Sequence, residues 1–198
     1  MSEVSRRDAL RRLGLALMAA GALDRPAAQE VHHLAADARA ASGGSYAPKA
    51  FGPHEYRTLE RLTDRIIPVE NGNPGAVAAG AAQWIDTIAS ENDQLTKIYK
   101  DGLAWIDGAM TKRGAADFVS AAPDQQTALL DLIAYRRNQT PGLAPGIEFF
   151  SWVRRMTVDA FYTSEVGIKD IDYRGNAPAA TYTVPAESIA YALKRSGL

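Results

Sequence analysis

The sequence predicts an all-α fold: an irregular bundle of about five core helices with an N-terminal signal segment and an extended C-terminal tail. Three observations favour this class. Apolar residues recur at helical spacing in five segments between residues 53 and 162, no β-like alternation persists for long, and there is no internal repeat. A chain of 198 residues is long enough to bury a sizeable core as one domain.

The N-terminal segment differs in composition from the rest of the chain. Residues 1–12 contain four arginines, and residues 13–23 form an uncharged run rich in Ala and Gly. A basic segment followed by an apolar run is typical of a secretory signal. Because the apolar run is shorter than the roughly 20 residues that a membrane-spanning helix needs, it is not interpreted as a membrane span.

A twin-arginine (Tat) motif precedes the apolar run, and four positions fit it: Ser5, Arg6, Arg7 and Leu10. Ala9 stands where Phe is common in such signals. Small residues near position 22 predict cleavage after Ala22, so residues 1–22 are interpreted as a Tat signal peptide that directs the chain to the periplasm. The alternative is an amphipathic N-terminal helix with an incidental arginine pair.

Residues 23–52 have the composition of a linker. They contain Pro26, Pro48 and the segment Ser42–Ser45, with a short helix expected around residues 29–40. Two histidines, His32 and His33, are adjacent in this segment. Neighbouring residues point to different sides of a helix, so we expect a solvated pair rather than a metal site.

The helical body is predicted to span residues 53–162. Pro68 stops the first helix, and the small residues between Ala78 and Ala82 suit a close approach of two helices. Turn-forming clusters rich in Gly and Pro separate several of the helices. The five helices are expected at about residues 53–67, 76–88 and 92–110, from Pro123 through the apolar run ending at Ile133, and at 147–162.

The segment 163–198 is predicted to be a partner-docking tail. It has few aliphatic residues and several tyrosines, so it carries too little apolar area to fold as its own unit. An ordered turn is expected at Asp170–Asn176, and a short terminal helix from Pro185 to Arg195.

Composition excludes several kinds of chemistry. The absence of cysteine excludes disulfides, thiolate zinc sites, iron–sulfur ligation and covalently attached haem in this chain. The balance of 22 basic and 23 acidic residues gives no electrostatic footprint for nucleic acid. No dinucleotide-binding, P-loop, hydrolase or zinc-protease motif is present. We therefore predict no catalytic, cofactor-binding or metal-binding residue in this chain.

Five titratable residues have candidate roles of their own. His54 lies at a helix start, where a surface or capping role is the simpler interpretation. Asp64 and Asp86 lie close to apolar helical faces, where each is expected to bind an arginine across the bundle. Asp170 and Asp172 support an alternative hypothesis, an enzyme that uses paired carboxylates, although helix and turn capping explains such residues more simply.

The predicted fifth helix carries an aromatic stripe wider than one helix needs to bury. Core packing and a partner surface are both compatible with this pattern, because exposed aromatic residues concentrate binding energy. The tyrosines of the tail favour a partner. The candidate partner-binding residues are Phe149, Phe150, Trp152, Phe161, Tyr162 and Tyr173.

Several short motifs together resemble those of the gluconate 2-dehydrogenase subunit 3 family. The most specific block runs from Asp64 through Ile66-Ile67-Pro68 to Pro74-Gly75-Ala76. The resemblance covers about residues 53–176. The other matching positions are Leu59, Leu62, Ala79-Gly80, Trp84-Ile85-Asp86, Tyr99-Lys100, Gly102-Leu103, Gly114, Phe118, Phe149-Phe150, Val153-Arg154, Thr157, Phe161-Tyr162 and Tyr173-Arg174-Gly175-Asn176.

The resemblance implies a non-catalytic small subunit that accompanies a large FAD-dependent dehydrogenase of sugars, sugar acids or polyols, often together with a cytochrome c subunit. The flavin and the catalytic residues would belong to the large subunit, and any haem c or iron–sulfur cluster to the partners. The small subunit would interact with the Tat translocase, escort and stabilise its flavoprotein, and reside in the periplasm, held at the inner membrane through the complex. The alternative from another class is a free-standing periplasmic helical protein that binds a small ligand between helices.

Overall fold

The computed structural model describes residues 25–41, 46–70, 72–173 and 184–196. The predicted signal peptide, including Ser5, Arg6, Arg7 and Leu10, lies outside these residues. In the part of the chain that is described, 72% of the residues are helical and there is no strand, which confirms the predicted all-α class.

The described segments form nine α-helices and one short 3₁₀ turn at Arg136–Asn138. None of these helices is both long enough and apolar enough to cross a bilayer. In chain order the helices are α1 (Arg25–Ala41), α2 (Pro53–Ile66), α3 (Gly75–Ala78), α4 (Ala81–Ala89), α5 (Asp93–Thr111), α6 (Pro123–Ile133), α7 (Ala144–Thr163), α8 (Glu165–Asp170) and α9 (Ala186–Ser196).

The five predicted body helices are present, but the second one is interrupted. Gly80 has a φ of +69°, a left-handed conformation that ends α3 before α4 begins. The interruption breaks the helical spacing on which the predicted apolar face depended. Val77, in the short helix before the interruption, is 45% exposed.

Helix α1 occupies much of the segment predicted to be a linker. It is 17 residues long, and Ala28, Val31 and Ala35 on one side of it are buried. The indole nitrogen of Trp84 donates a hydrogen bond to the carbonyl oxygen of Ala28, at 3.3 Å. Residues 25–41 therefore pack onto the bundle, against α4 and α7.

Helix α7 lies at the centre of the molecule and contacts each of the helices α1–α6 and α8. Its approach to α5 depends on glycine. A Cβ at Gly102 would lie 2.1 Å from the ring of Phe149, and one at Gly146 would lie 2.2 Å from the ring of Trp105. The two helices can therefore pack closely only because these positions lack side chains.

A fully buried carboxylate, Asp86, fixes the segment that leads into α2. Its Oδ2 accepts hydrogen bonds from the hydroxyl of Tyr46 at 2.7 Å and the backbone N–H of Lys49 at 2.8 Å. Its Oδ1 accepts from the backbone N–H groups of Ala50 and Phe51, at 3.1 and 3.2 Å. The prediction that Asp86 binds an arginine across the bundle is wrong, because its acceptor positions serve this loop.

Among the described residues, Asp64 also makes no ion pair across the bundle. Its carboxylate lies 3.6 Å from Arg61 of the same helix. The two side chains are about 33% and 43% exposed, so the pair is a weak surface contact and the prediction of a cross-bundle ion pair is wrong here as well.

The first part of the predicted tail belongs to the body. Helix α8 packs against α7, and Gly167 lies so close to the carbonyl oxygen of Phe161 that a Cβ there would be 2.0 Å from it. The predicted terminal helix is confirmed as α9, and each of its residues is exposed.

Candidate partner-binding surface

The aromatic stripe of α7 divides between the core and the surface. Phe149, Phe150 and Phe161, which were predicted to bind a partner, are 2%, 7% and 0% exposed and pack in the core of this chain. The reason is the central position of α7, which leaves little of its circumference in solvent. Phe149, for example, meets the ring of Tyr99 edge to face, with the ring centroids 5.6 Å apart.

The three other predicted partner-binding residues lie at the surface but in two places. Trp152 is partly exposed, and Tyr162 and Tyr173 are each 44% exposed. Trp152 and Tyr162 are ten residues apart on α7, which corresponds to about 15 Å along the helix axis. The structure therefore does not bring all three into one cluster, and Trp152 lies in a groove.

The groove at Trp152 has a volume of about 440 Å³. Arg155, three residues after Trp152 on α7, places its guanidinium carbon 4.2 Å from the centroid of the Trp152 ring, a cation–π contact. Arg136, in the 3₁₀ turn after α6, lines the same groove. The remaining lining residues are Gln139, Ala144, Ile147, Glu148 and Ser151.

Two further grooves border the same connection between α6 and α7. One, of about 250 Å³, is lined by residues that include Arg65, Asp131 and Arg154. The other, of about 270 Å³, is lined by residues that include Lys112 and Arg113. We call the three grooves together with the exposed pair Tyr135 and Arg137 the arginine–aromatic face.

Stacked pairs recur across this face. The guanidinium carbon of Arg137 lies 4.4 Å from the centroid of the Tyr135 ring, and Tyr135 is 49% exposed. The guanidinium of Arg154 lies 5.8 Å from the ring of Phe150. These arginines were not predicted as site residues, although the adjacent pairs at 136–137 and 154–155 are visible in the sequence.

The carboxylate pair considered for catalysis does not form a cleft site. Asp170 and Asp172 are both exposed, and Asp170 accepts a hydrogen bond from the amide of Asn73 at 3.3 Å. Within the described ranges, no group of three or more His, Asp or Glu side chains is arranged to hold a metal ion.

His54 has a structural contact. Its Nε2 lies 2.8 Å from Oδ2 of Asp107, and Oδ1 of the same carboxylate accepts a hydrogen bond from the backbone N–H of Phe118 at 3.0 Å. This arrangement ties the start of α2 to α5 and to the loop before α6.

The two adjacent histidines of α1 differ in environment. His33 is exposed as predicted, but His32 is largely buried beside Trp84, with the ring centroids 6.1 Å apart. Its Nε2 lies 3.1 Å from the hydroxyl of Thr163. Burial lowers the pKa of His32 to about 4, so the prediction of a solvated pair is wrong for this residue.

Comparison with known proteins assigns the chain to a family. The family model described as gluconate 2-dehydrogenase subunit 3 matches residues 53–180, more than half of the chain. The match begins at the first residue of α2 and extends past α8, so it includes the whole arginine–aromatic face. Neither the curated proteins nor the solved structures gave a match. This chain therefore belongs to the gluconate 2-dehydrogenase subunit 3 family.

Proposed function

We propose that this chain is the non-catalytic small subunit of a periplasmic FAD-dependent sugar, gluconate or polyol dehydrogenase complex. The family match over the helical body is the observation that carries the proposal. A subunit of a multi-subunit oxidoreductase needs a stable fold and a surface for its partner. The buried core around α7 and the exposed arginines and aromatic rings of the arginine–aromatic face supply these two features.

In this proposal the chain provides the export signal for the complex. The Tat route moves folded proteins, so the signal at Arg6-Arg7 would export a flavin-loaded partner together with this subunit. FAD, and any haem c or iron–sulfur cluster, belongs to the partner subunits. The assembled complex would reside in the periplasm, held at the inner membrane, and would include a large flavoprotein and in some forms a cytochrome c.

The alternative of a free-standing ligand-binding protein receives less support. Small-molecule sites are mostly apolar cavities that enclose their ligand. The 440 Å³ groove is instead an open surface feature, and its lining includes Arg136, Glu148 and Arg155. Its composition is more typical of a protein interface, where arginine and aromatic residues are enriched.

Export is tested by replacing Arg6 and Arg7 with lysines and measuring where the flavoprotein subunit accumulates. We expect the flavoprotein and its dehydrogenase activity to remain in the cytoplasm. The matched control replaces Arg11 and Arg12 with lysines, which preserves the same charge in the same segment and should leave export intact. Normal periplasmic accumulation of the flavoprotein with the Arg6-Arg7 variant would contradict the escort role.

The non-catalytic assignment is tested with the purified chain and the purified complex. The complex should reduce an artificial electron acceptor with at least one substrate among gluconate, glucose, fructose and sorbitol, and the isolated chain should be inactive with all four. Activity of the isolated chain that disappears in Asp170→Asn would instead support the carboxylate enzyme.

A further inference from the structure

Positive charge is concentrated on the arginine–aromatic face. The chain as a whole has 22 basic and 23 acidic residues. The three grooves, in contrast, have six basic lining residues and two acidic ones, Asp131 and Glu148. Arg137, which follows Arg136 in the chain and is exposed, adds a further positive charge. The basic lining residues are Arg65, Lys112, Arg113, Arg136, Arg154 and Arg155.

The four arginines nearest the connection have no carboxylate partner. Among the described residues, no Asp or Glu oxygen lies within 4.0 Å of the guanidinium nitrogens of residues 136, 137, 154 and 155. Asp159, the next acidic residue along α7 after Arg155, is also beyond this distance. Arg154 donates one long hydrogen bond, 3.5 Å, to the carbonyl oxygen of Ala134. Most of the N–H groups on this face therefore remain available to a ligand.

Stacking on aromatic rings orients these charges. Arg155 lies over Trp152, and Arg137 lies over Tyr135. A guanidinium stacked on a ring keeps its N–H edge free, and that edge matches a carboxylate with two parallel hydrogen bonds. Because stacking already restricts the side chain, less conformational entropy is lost when an acidic group binds.

We propose that the arginine–aromatic face is the docking surface for the flavoprotein subunit, and that the partner presents an acidic surface there with an apolar side chain inserted beside Trp152. This inference rests on the proposed function. A face rich in arginine favours a partner with an acidic surface, and the ring–arginine pairs have the composition of interface hot spots. Glu148 and Asp131, each within a basic groove, fix the register by favouring a basic group of the partner opposite them.

An anionic membrane is the competing occupant, and the shape of the face argues against it. A lipid surface is attracted by positive charge without requiring grooves, and membrane-bound helices insert a continuous apolar face. Here the charges line three concave grooves of about 440, 250 and 270 Å³ that also contain carboxylates. An acidic protein surface with protruding side chains is complementary to these grooves in charge and shape.

The test uses the full chain co-expressed with its flavoprotein, which is the partner that co-purifies and is recognised by its flavin absorbance. Binding is then measured with the purified flavoprotein subunit as probe. The variant Arg136→Glu with Arg155→Glu should raise the Kd roughly tenfold to hundredfold. The matched control, Arg57→Glu with Lys100→Glu, changes two exposed basic residues outside the grooves and should stay within about twofold. Wild-type affinity should fall as salt rises.

A second measurement covers the case in which the charge-reversal variant fails to fold. A photo-activated cross-linker placed at Tyr135 in the otherwise wild-type chain should join it to an acidic segment of the flavoprotein, identified by mass spectrometry. A second cross-linker is placed in α9 for comparison. If the flavoprotein is captured from α9 and not from Tyr135, and the Kd of the Arg136 and Arg155 variant is unchanged, the docking face is overturned while the proposed function remains intact.

Two other outcomes are also decisive. If the wild-type chain retains no flavoprotein, both the proposed function and the docking face are overturned. The docking proposal is also wrong if vesicles containing anionic lipid bind the wild-type chain but not the Arg136 and Arg155 variant, while that variant still captures the flavoprotein normally. In that case the face binds membranes.

Discussion

Asp86 gives the sharpest test of how the body is held together, and Asp86→Asn is the perturbation. Both carboxylate oxygens accept two hydrogen bonds each, from the Tyr46 hydroxyl and three backbone N–H groups. An asparagine has one acceptor oxygen and one NH₂ donor at this site. Either orientation of the amide places the NH₂ against two donors, so two of the four hydrogen bonds are lost.

The magnitude follows from that count. A hydrogen bond to a charged acceptor contributes about 1.5–3 kcal/mol, and a buried donor left without a partner adds a desolvation cost. We therefore expect Asp86→Asn to lower the free energy of unfolding by about 3–5 kcal/mol. Because a domain has a total stability of about 5–15 kcal/mol, this is a large fraction of it. Tyr46→Phe removes one of the four bonds and should cost about 1–2 kcal/mol.

The assay is urea unfolding followed by far-ultraviolet circular dichroism, with the midpoint and slope fitted for each variant. Asp64→Asn serves as the matched control because the Asp64 carboxylate is partly exposed and forms a long ion pair with Arg61. The substitution should cost less than about 0.5 kcal/mol. A free energy of unfolding for Asp86→Asn within 1 kcal/mol of the wild type would refute the role assigned to this carboxylate.

Three further predictions concern the same body. Burial holds the pKa of His32 near 4, below the 6.5 expected in the unfolded chain, so the free energy of unfolding should fall by about 1–2 kcal/mol as the pH drops from about 6.5 to 4, after allowance for partial exposure. Urea unfolding at several pH values should show this fall in the control variant His33→Gln and not in His32→Gln. Gly102→Ala forces a Cβ against a buried ring and should lower thermal stability by about 1–3 kcal/mol, whereas Gly108→Ala on the same helix meets open space and should raise it by about 0.5–1 kcal/mol. Thr157 has a buried hydroxyl with no hydrogen-bond partner among the described residues, so Thr157→Val should raise the free energy of unfolding by about 1 kcal/mol, and a loss of stability in urea unfolding would contradict this account.

The sequence predicted the body helices well because long apolar periodicity survives in most tertiary contexts. The interruption at Gly80 was missed, since a left-handed glycine inside an Ala-rich stretch leaves composition and spacing unchanged. Helix α1 was treated mainly as linker because its buried positions, such as Ala28 and Ala35, are small and add little to a hydrophobic pattern. In both cases the local structure depends on tertiary contacts, which the pattern of apolar residues does not show.

The candidate site was predicted less well for a related reason. A stripe on one helix shows that a wide surface is apolar, but the number of neighbouring helices decides how much of it is covered. Seven neighbours cover most of α7, so Phe149 and Phe161 became core residues while Trp152 kept a surface position. The arginine pairs at 136–137 and 154–155 were visible in the sequence, but their meeting at one face depends on the path of the α6–α7 connection.

Helix α7 links the core and the arginine–aromatic face, and its geometry separates their energetics. Val153 and Met156 point into the core, whereas Trp152 and Arg155 on the same helix line the 440 Å³ groove. Contacts on opposite sides of one rigid helix share no partners, so their effects should be nearly additive. Core changes such as Gly102→Ala should then lower stability without a specific change in partner affinity measured below the unfolding transition. Charge reversal of Arg155 should weaken docking while the unfolding midpoint stays close to that of the wild type. The stability of the fold and the affinity of the proposed docking surface can therefore be changed independently of each other.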